Sequence, residues 1–537
     1  MKKNRRSFLH FLGKAGTVAA FSGLASACKR VSKATNTVKK NIPLVPLAPS
    51  TQDALQLTSG FQYEVLIRWE DPISSKDRFG MHNDYLAFQA LDNKKDEGLL
   101  WVNHEYLSPL FVSGFNDKDL SKKTKAQVDK EMYAVGGSIL HIKKQGKRWE
   151  LVKNSEYNRR ITAQTPLPFD WHEPILGANQ GIGTLGNCAG GVTPWGSILT
   201  CEENYDMFYG ETDYTDPQNP KRKPSTDYGW EYHYNYPPEH YGWVVEVDLK
   251  TGKGKKLIAL GRCAHECATT FRAPDGRMVV YTGDDHNDEC LYKFVSSKPN
   301  SLSEGTLYVA NIEKGQWISL KYEDQPLLQK HFKSQTEVLI RLREAAHLLG
   351  GSRLNRPEDI EIDPTTGHVL ISLTNNKAKG DFLGSILKIE EGSSDKTGTS
   401  FRAETFLAGG PELGFACPDN LAFDKKGNLW FTSDISGSSI EKGPYKGLGN
   451  NGLFVVPVQG PQKGKVIRIA NAPKDAELTG PYFAPDGSLF LSVQHPGEET
   501  QSLDQPSSHF PDGGTTLPRS CVVVITGEGL QNLVGNA

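Results

Sequence analysis

The sequence predicts an all-β fold, a six-bladed β-propeller with long loop and short helical insertions. Three observations carry the prediction. One hairpin pattern recurs six times along the chain. Glycine and proline are plentiful, 53 and 31 of 537 residues, and the apolar runs between them are short, as in chains of many strands joined by turns. Further strand-like runs follow several hairpins, so each unit has about four strands, the make-up of a propeller blade. Two separate β-sandwiches are the alternative. Six regular copies spread over the chain fit one ring better than two domains.

In chain order, the first residues are an address rather than a fold. Lys2 and Lys3 lead into Arg5-Arg6-Ser7-Phe8-Leu9 and a modest apolar stretch near residues 15–27. That stretch is short of the roughly 20 apolar residues that cross a bilayer. A twin arginine before Phe-Leu reads as a twin-arginine export signal over residues 1–27. An ordinary secretory signal with a basic start is the alternative. The export reading implies passage through the twin-arginine translocase and a periplasmic or cell-envelope location. Ala25-Ser26-Ala27 fits a cleavage site, whereas Leu24 to Cys28 resembles a lipobox in which Cys28 would carry a lipid anchor. Residues 28–54 are rich in Lys, Thr and Pro and read as a linker or tether. Residues 55–537 read as a single propeller domain.

The six copies start at His82, Cys188, His265, Arg356, Cys417 and Thr479. Each is a polar cluster, an apolar run, a turn, a second apolar run and a second polar cluster. The turn glycines are Gly98, Gly196, Gly276, Gly367, Gly427 and Gly487, since glycine tolerates the positive φ of hairpin turns. They are expected on the face opposite the polar clusters. Outer strands follow at Cys290–Val295, Gly384–Ile389 and Gly452–Pro457. The intervals exceed the roughly 40–45 residues of a bare blade, so insertions are large. Residues 204–243 form an aromatic, proline-rich excursion. Residues 334–351 read as one helix, with a Ser334–Glu337 capping box, an apolar face of Leu339, Leu342, Ala346 and Leu349, and a stop at Gly350-Gly351.

Composition narrows the function. Lys+Arg 61 against Asp+Glu 63 gives no electrostatic reason to expect nucleic acid. The eight cysteines, 28, 188, 201, 263, 267, 290, 417 and 521, include no Cys-x-x-Cys pair, which argues against a zinc ribbon. An oxidising compartment permits disulfides. Cys263 and Cys267 flank Ala264-His265-Glu266, as a metal knuckle would, but packing residues or a disulfide half are simpler readings. No Ser-His-Asp order or nucleophile elbow is present, so a serine mechanism is unsupported.

The outer ends of a hairpin share one rim, and in a propeller the rims converge near the central channel. Residues from His82 to His495 can therefore share one site. Its inventory is His82, Asn83, Asp84, Asn103, His104, Glu105, Cys188, Glu202, Glu203, Asn204, His265, Glu266, Asp284, Asp285, Arg356, Glu358, Asp359, Cys417, Asp419, Asn420, Asp434, Gln494 and His495. So many carboxylates held together repel, and bound cations are the simplest neutralisation. Carboxylate and amide oxygens suit calcium, and a thiolate among carboxylates suits a softer or redox metal such as iron. Singly, each has a plainer reading: turn caps for Asp and Asn, core packing for Cys188 or Cys417, a solvated pair for Glu202-Glu203, an ion pair for Arg356 with Glu358 or Asp359. The alternatives from other classes are a calcium-dependent propeller phosphodiesterase, phytase or lactonase, and a non-catalytic exported propeller that binds a ligand.

After residue 55 the chain resembles the PhoX alkaline phosphatases. The resemblance rests on Asn83-Asp84-Tyr85, Trp101 to Glu105, Cys188 to Gly191, Cys201 to Asn204, Ala264-His265-Glu266, Gly283-Asp284-Asp285 with Tyr292-Lys293-Phe294, Arg356-Pro357-Glu358 and Pro418-Asp419-Asn420. It implies a monomeric, exported phosphate monoester hydrolase of broad specificity acting on small phosphate esters. It also implies two ferric ions, three calcium ions and an oxo group bridging metals. By motif, Cys188, Glu266 and Glu358 would ligate iron with Asp285 or Asp284. Glu203 and Glu202 would hold calcium, with Asp84 and Asn103 as further oxygen donors. Arg356 would contact phosphate, its backbone held extended by Pro357. Asn83, Glu105, Asp419 and Asn420 complete the implied site. His82 stands where the family often has Asn, and Cys263, Cys267 and Cys417 lie outside its pattern.

Overall fold

The computed structural model describes residues 44–535. The twin-arginine segment, Cys28 and most of the expected tether lie outside the described residues. Six antiparallel sheets of four or five strands follow one another along the chain. Their innermost strands are Asn83–Ala90, Asn187–Val192, Thr269–Arg272, Pro357–Ile362, Pro418–Phe423 and Glu477–Phe483. Each touches the next in cyclic order, and the sixth touches the first, so the sheets are blades around one axis.

Strand alternation shows why these sequences stack. In Glu97–His104 of blade one, Leu100 and Val102 pack with Phe490 and Val524 of blade six. Leu99 and Trp101 point the other way, onto Ile198 and Val245 of blade two. Successive side chains leave a strand on opposite faces, and both faces of a blade are buried here. Hence the runs read as continuously apolar.

Five of the six expected turn glycines turn hairpins with positive φ: Gly196, Gly276, Gly367, Gly427 and Gly487, between +74° and +87°. Gly98 does not. It sits within the second strand of blade one, opposite Ala90. Asp92 (φ +52°) and Asn93 (φ +59°) make that turn, residue types that tolerate the left-handed region.

The ring closes with strands from both ends of the chain. Gln62–Arg68 is the outer strand of blade six, paired with Cys521–Thr526 so that Tyr63 lies opposite Ile525. Gln56–Leu57 adds an edge strand to blade five. Residues 44–54, expected as tether, dock on blade five instead. The Leu44 amide donates to Gln462 Oε1 (2.8 Å) and the Leu47 amide to the Arg468 carbonyl (3.0 Å).

The insertions build walls on the polar face. Residues 334–351 form two helices rather than one, Gln335–Ile340 and Leu342–Leu348, broken at Arg341 (ψ +44°). Ser334 caps the first by accepting from the Glu337 amide at 3.2 Å. The Glu337 carboxylate takes the Lys333 amide (2.7 Å), so only half of the capping box forms. The 204–243 excursion packs Phe208 on Tyr228 and Tyr209 on Tyr241, rings stacked at 4.5 and 4.9 Å, around the buried Trp230. Beneath it lies the buried pair Lys123–Glu131 (2.7 Å), at the helix Lys125–Ala134. The seven described cysteines are all buried free thiols.

Candidate metal centre

Two register positions, repeated around the axis, build the site. The first lies inside a bulge that opens the innermost strand in five of the six blades. Pairing shifts between Asn83 and Leu86, Asn187 and Gly190, Pro357 and Ile360, Pro418 and Leu421, and Thr479 and Tyr482. The residue before the last of the bulge is Asp84, Cys188, Glu358, Asp419 or Gly480. Glu266 takes the corresponding place in blade three, next to the His265–Asp284 bridge. A bulge re-aims a side chain out of sheet alternation. These five side chains accordingly line a common cavity on the axis. Blade six offers none, because a Cβ on Gly480 would lie 2.6 Å from the Asp84 carbonyl oxygen.

The second position follows the second strand in five of the blades. The amides of Glu105, Glu203, Asp285 and Asp434 donate to the carbonyls of His82, Gly186, Ala264 and Cys417 at 2.7–3.2 Å. In blade four Thr374 takes this place and bonds the Arg356 carbonyl (3.2 Å). The accepting residues His82, Gly186, Arg356 and Cys417 have φ of +41°, +60°, +53° and +50°. Three of them are not glycine, and a left-handed backbone costs each about 1–2 kcal/mol. Arg356 is thus left-handed, not extended; the carbonyl it must turn toward Thr374 overrides the preference set by Pro357. Such strain persists where the surroundings fix it, as at working sites.

The resulting cup has a volume of about 510 Å³ and is lined by eleven carboxylates, one guanidinium, His82 and His495. Cys188 lies at its centre of contacts, with Sγ 3.1 Å from Glu266 Oε1 and 3.5 Å from Asp84 Oδ2. Its sulfur and one oxygen each from Asp84 and Glu105 lie within 4.8 Å of one another; so do its sulfur and oxygens of Glu203 and Glu266. Gln494 Nε2 bridges Asp84 (3.0 Å) and Glu105 (2.8 Å). Arg356 Nη2 reaches Asp285 Oδ2 at 2.7 Å and Glu358 Oε1 at 2.8 Å, and Nη1 lies 3.6 Å from Asp434.

One arginine cannot balance this charge. Burial, then the neighbouring carboxylates, pushes the Asp84, Glu203 and Glu266 carboxyls well above the usual carboxylate range. Burial and then Asp84 push the Cys188 thiol up. Asp84 Oδ1 and Asp285 Oδ1 are buried without a hydrogen-bond partner, and Glu358 Oε1 has none despite its nearness to Arg356. Buried acids with orphaned oxygens, next to a thiol, fit metal ions as the missing partners.

Several expected residues serve this cup without facing it. Glu202 gives one oxygen to Lys256 Nζ (2.7 Å, both side chains 0 % exposed) and the other to the Trp243 amide (3.1 Å). The expectation that it holds calcium is revised: its partners are already in place, and it points to the opposite side of the strand from Glu203. Asp284 is likewise taken, by Arg343 Nε (2.8 Å) and Nη2 (2.6 Å), which leaves Asp285 for the cup. Asn103 is a positioning residue rather than an oxygen donor. Its Nδ2 donates to the Cys188 and Ala189 carbonyls (2.6 and 3.0 Å), and its Oδ1 accepts from Trp101 Nε1 (2.6 Å) and Thr200 Oγ1 (2.7 Å). Asn420 donates to Asp419 Oδ1 (3.0 Å), and Asn83 to the Cys521 carbonyl (3.0 Å). His104 and His265 are held by Ser138 and Thr282, Asp359 by the amides of Ile360 and Leu421, and Cys417 lies against Asn375 and Tyr445.

Glu477 also lines the cup and was not expected there. Its signal was available: it lies opposite Gln494, which the pattern does single out. Tyr106 and Glu498, hydrogen-bonded at 2.8 Å, extend the wall beyond the pattern.

The Glu202–Lys256 pair makes a test. Lys256→Met is expected to destabilise the fold by about 3–5 kcal/mol, because a buried carboxylate loses its partner. Turnover per folded molecule should persist. Denaturant unfolding of the two proteins measures this; unchanged stability with lost metal would place Glu202 in the metal centre after all.

The axial cup gathers buried acids and a thiol around one guanidinium, a donor set suited to metal ions at the centre of a β-propeller. Comparison with known proteins is more specific. The family model described as "Alkaline phosphatase PhoX" matches residues 42–497, and the chain belongs to that family. Among solved structures, Pseudomonas fluorescens PhoX in complex with vanadate, a transition state analogue, shares 29% identity at a TM-score of 0.79, over 91% of this chain and 98% of that one. A protein of unknown function from Dyadobacter fermentans shares 10% identity at a TM-score of 0.38, over 88% of this chain and 100% of that one. No curated protein matches the sequence. The chain is a phosphatase, a phosphoric monoester hydrolase on a six-bladed propeller.

Proposed function

We propose that this phosphatase hydrolyses small phosphate monoesters of broad specificity outside the cytoplasm, with iron and calcium held in the axial cup. One observation carries the reading: a single buried thiol, Cys188, belongs to two separate sets of carboxylate oxygens beside the cup's only guanidinium. Cys188, Glu266, Glu358 and Asp285 would hold iron. Glu203, Glu105 and Asp84, with Asp419 and Glu477 across the axis, offer harder oxygen sets for calcium. Two iron and three calcium ions are the occupancy that membership of the family suggests. When bound, such ions supply Lewis acidity and offset the charge of the phosphoryl oxygens.

The chain's own groups orient the ester. Arg356 is fixed from behind by Asp285 and Glu358 and remains 26 % exposed toward the cup. Its planar fork can bond two phosphoryl oxygens at once. The Pseudomonas fluorescens relative is in complex with vanadate, a transition state analogue, which supports a phosphoryl-like anion as this chain's ligand. Leu107, Pro109, Met207 and Tyr228 line the wall of the cup. Apolar side chains such as these can pack against an alcohol group without demanding its identity, which suits broad specificity.

The same reading gives the chain a twin-arginine signal over residues 1–27, a short tether, and one propeller that works as a monomer. Metal analysis with a chromogenic phosphate-ester assay tests the proposal. Exhaustive treatment with EGTA is expected to lower turnover at least about tenfold, and calcium to restore it. Full activity after such treatment, or lactone or diester hydrolysis without monoester hydrolysis, would overturn it.

A further inference from the structure

A second set of metal-ligand side chains lies behind the cup wall, on the outer part of blade three. Glu289, Cys290 and His347 bring a carboxylate oxygen, a thiol sulfur and an imidazole nitrogen within 4.8 Å of one another. Glu289 ends the short strand Asn287–Glu289, which pairs with Leu354–Asn355. Cys290, wholly buried, follows it, and His347 comes from the helix Leu342–Leu348.

Two features separate this trio from an ordinary ion pair. Glu289 Oε2 and His347 Nε2 are only 3.0 Å apart, yet both atoms are buried and neither makes a hydrogen bond. Two orphaned polar atoms in contact lack a third partner, since burying them unsatisfied is costly. The nearby acid Asp284 is already engaged by Arg343, so it does not compete for the trio. The backbone is closed over the thiol as well: a Cβ on Gly351 would lie 3.0 Å from Cys290 Sγ.

We propose that Glu289, Cys290 and His347 bind one zinc ion, with the fourth position open to water. One sulfur, one imidazole and one carboxylate make a borderline-soft donor set that suits zinc and not calcium. The His347 side chain is 23 % exposed, so the site lies close to the surface. The thiol gives up its proton as the sulfur–zinc bond forms, and that proton passes to water. The bound ion would act as a cross-link. It ties the 342–348 helix to the loop between Asp285 and Cys290, and so braces the segment that delivers Asp285 to the cup. It is independent of the iron and calcium assignment, because it shares no side chain with the cup.

The test uses the full chain incubated with zinc chloride and freed of loose metal on a desalting column. Wild type is expected to retain about one zinc per chain at this site. Cys290→Ser and His347→Gln should each lower that to below about a tenth, while Cys188→Ser retains it. Zinc should raise the melting temperature of wild type and of Cys188→Ser, but not of the other two. Should Cys290→Ser fail to fold, His347→Gln, altered at a partly exposed position, decides alone. Equal zinc in wild type and His347→Gln, or no retained zinc in wild type, would overturn the proposal. Loss of zinc with Cys188→Ser alone would assign the ion to the cup instead.

Discussion

Cys188→Ser is expected to lower turnover by at least about a thousandfold and to bleach the protein while leaving the propeller folded. The sulfur belongs to both sets of donor atoms in the cup, so one substitution disturbs both. Its backbone is fixed independently of its side chain, by Asn103 bonding the Cys188 and Ala189 carbonyls. Serine should therefore occupy the same place, where a hydroxyl can donate to Glu266 as the thiol does. What it removes is thiolate character: a soft donor whose charge transfer to iron colours a protein, and whose deprotonation a metal drives. Absorption spectra, metal content and phosphate-ester turnover measure the three effects together. A wild-type preparation that is colourless, free of iron and fully active would sink the assignment.

Arg356→Lys is the second large effect. It should lower kcat/KM by about 30- to 1000-fold, or about 2–4 kcal/mol, with metals and melting temperature retained. Lysine keeps the charge and can still pair with Asp285 or Glu358, so the rim stays neutralised. It cannot bond two phosphoryl oxygens in one plane. Weaker inhibition by vanadate should accompany the loss. The rival role is structural, since Arg356 visibly pairs with Asp285 and Glu358. If that role is the whole of it, Arg356→Lys leaves kcat/KM near wild type, or loses metal and fold together.

The propeller was legible because its signals are local: hairpin turns, short apolar runs and a polar cluster at each strand end. At two acid pairs the lining of the candidate cup was legible only to within one residue. Glu202 and Glu203 are adjacent acids, as are Asp284 and Asp285, and composition alone does not say which of each pair faces the axis. The phase is set by a bulge and by one backbone bond, Glu203 to Gly186 or Asp285 to Ala264, neither of which has a residue signature. The partners that claim the other acid, Lys256 and Arg343, lie 54 and 59 residues away in sequence. Asn103 and Asn420 look like ligands because amides can be; only their filled hydrogen bonds show them as braces. Gly98 misled for the opposite reason, standing near a turn that Asp92 and Asn93 make. The strand Gln62–Arg68 carries no mark of its partner at the far end of the chain.

That closure has a consequence for the order in which the molecule comes into being. Asp84 lies at the seam between the first blade and the last: Ser492 bonds its carbonyl, Gln494 its carboxylate, and Asn83 beside it bonds Cys521. A growing chain that has not yet reached Cys521–Thr526 already owns every acid of the cup, but Gln62–Arg68 has no strand to join. Contacts between such distant segments form late and slowly, because a long loop must close before they repay its entropy. The seam at Asp84 is therefore expected to be among the last parts of the native state to form. Truncating either terminal strand should act at the opposite end of the sequence, opening the seam at Asp84.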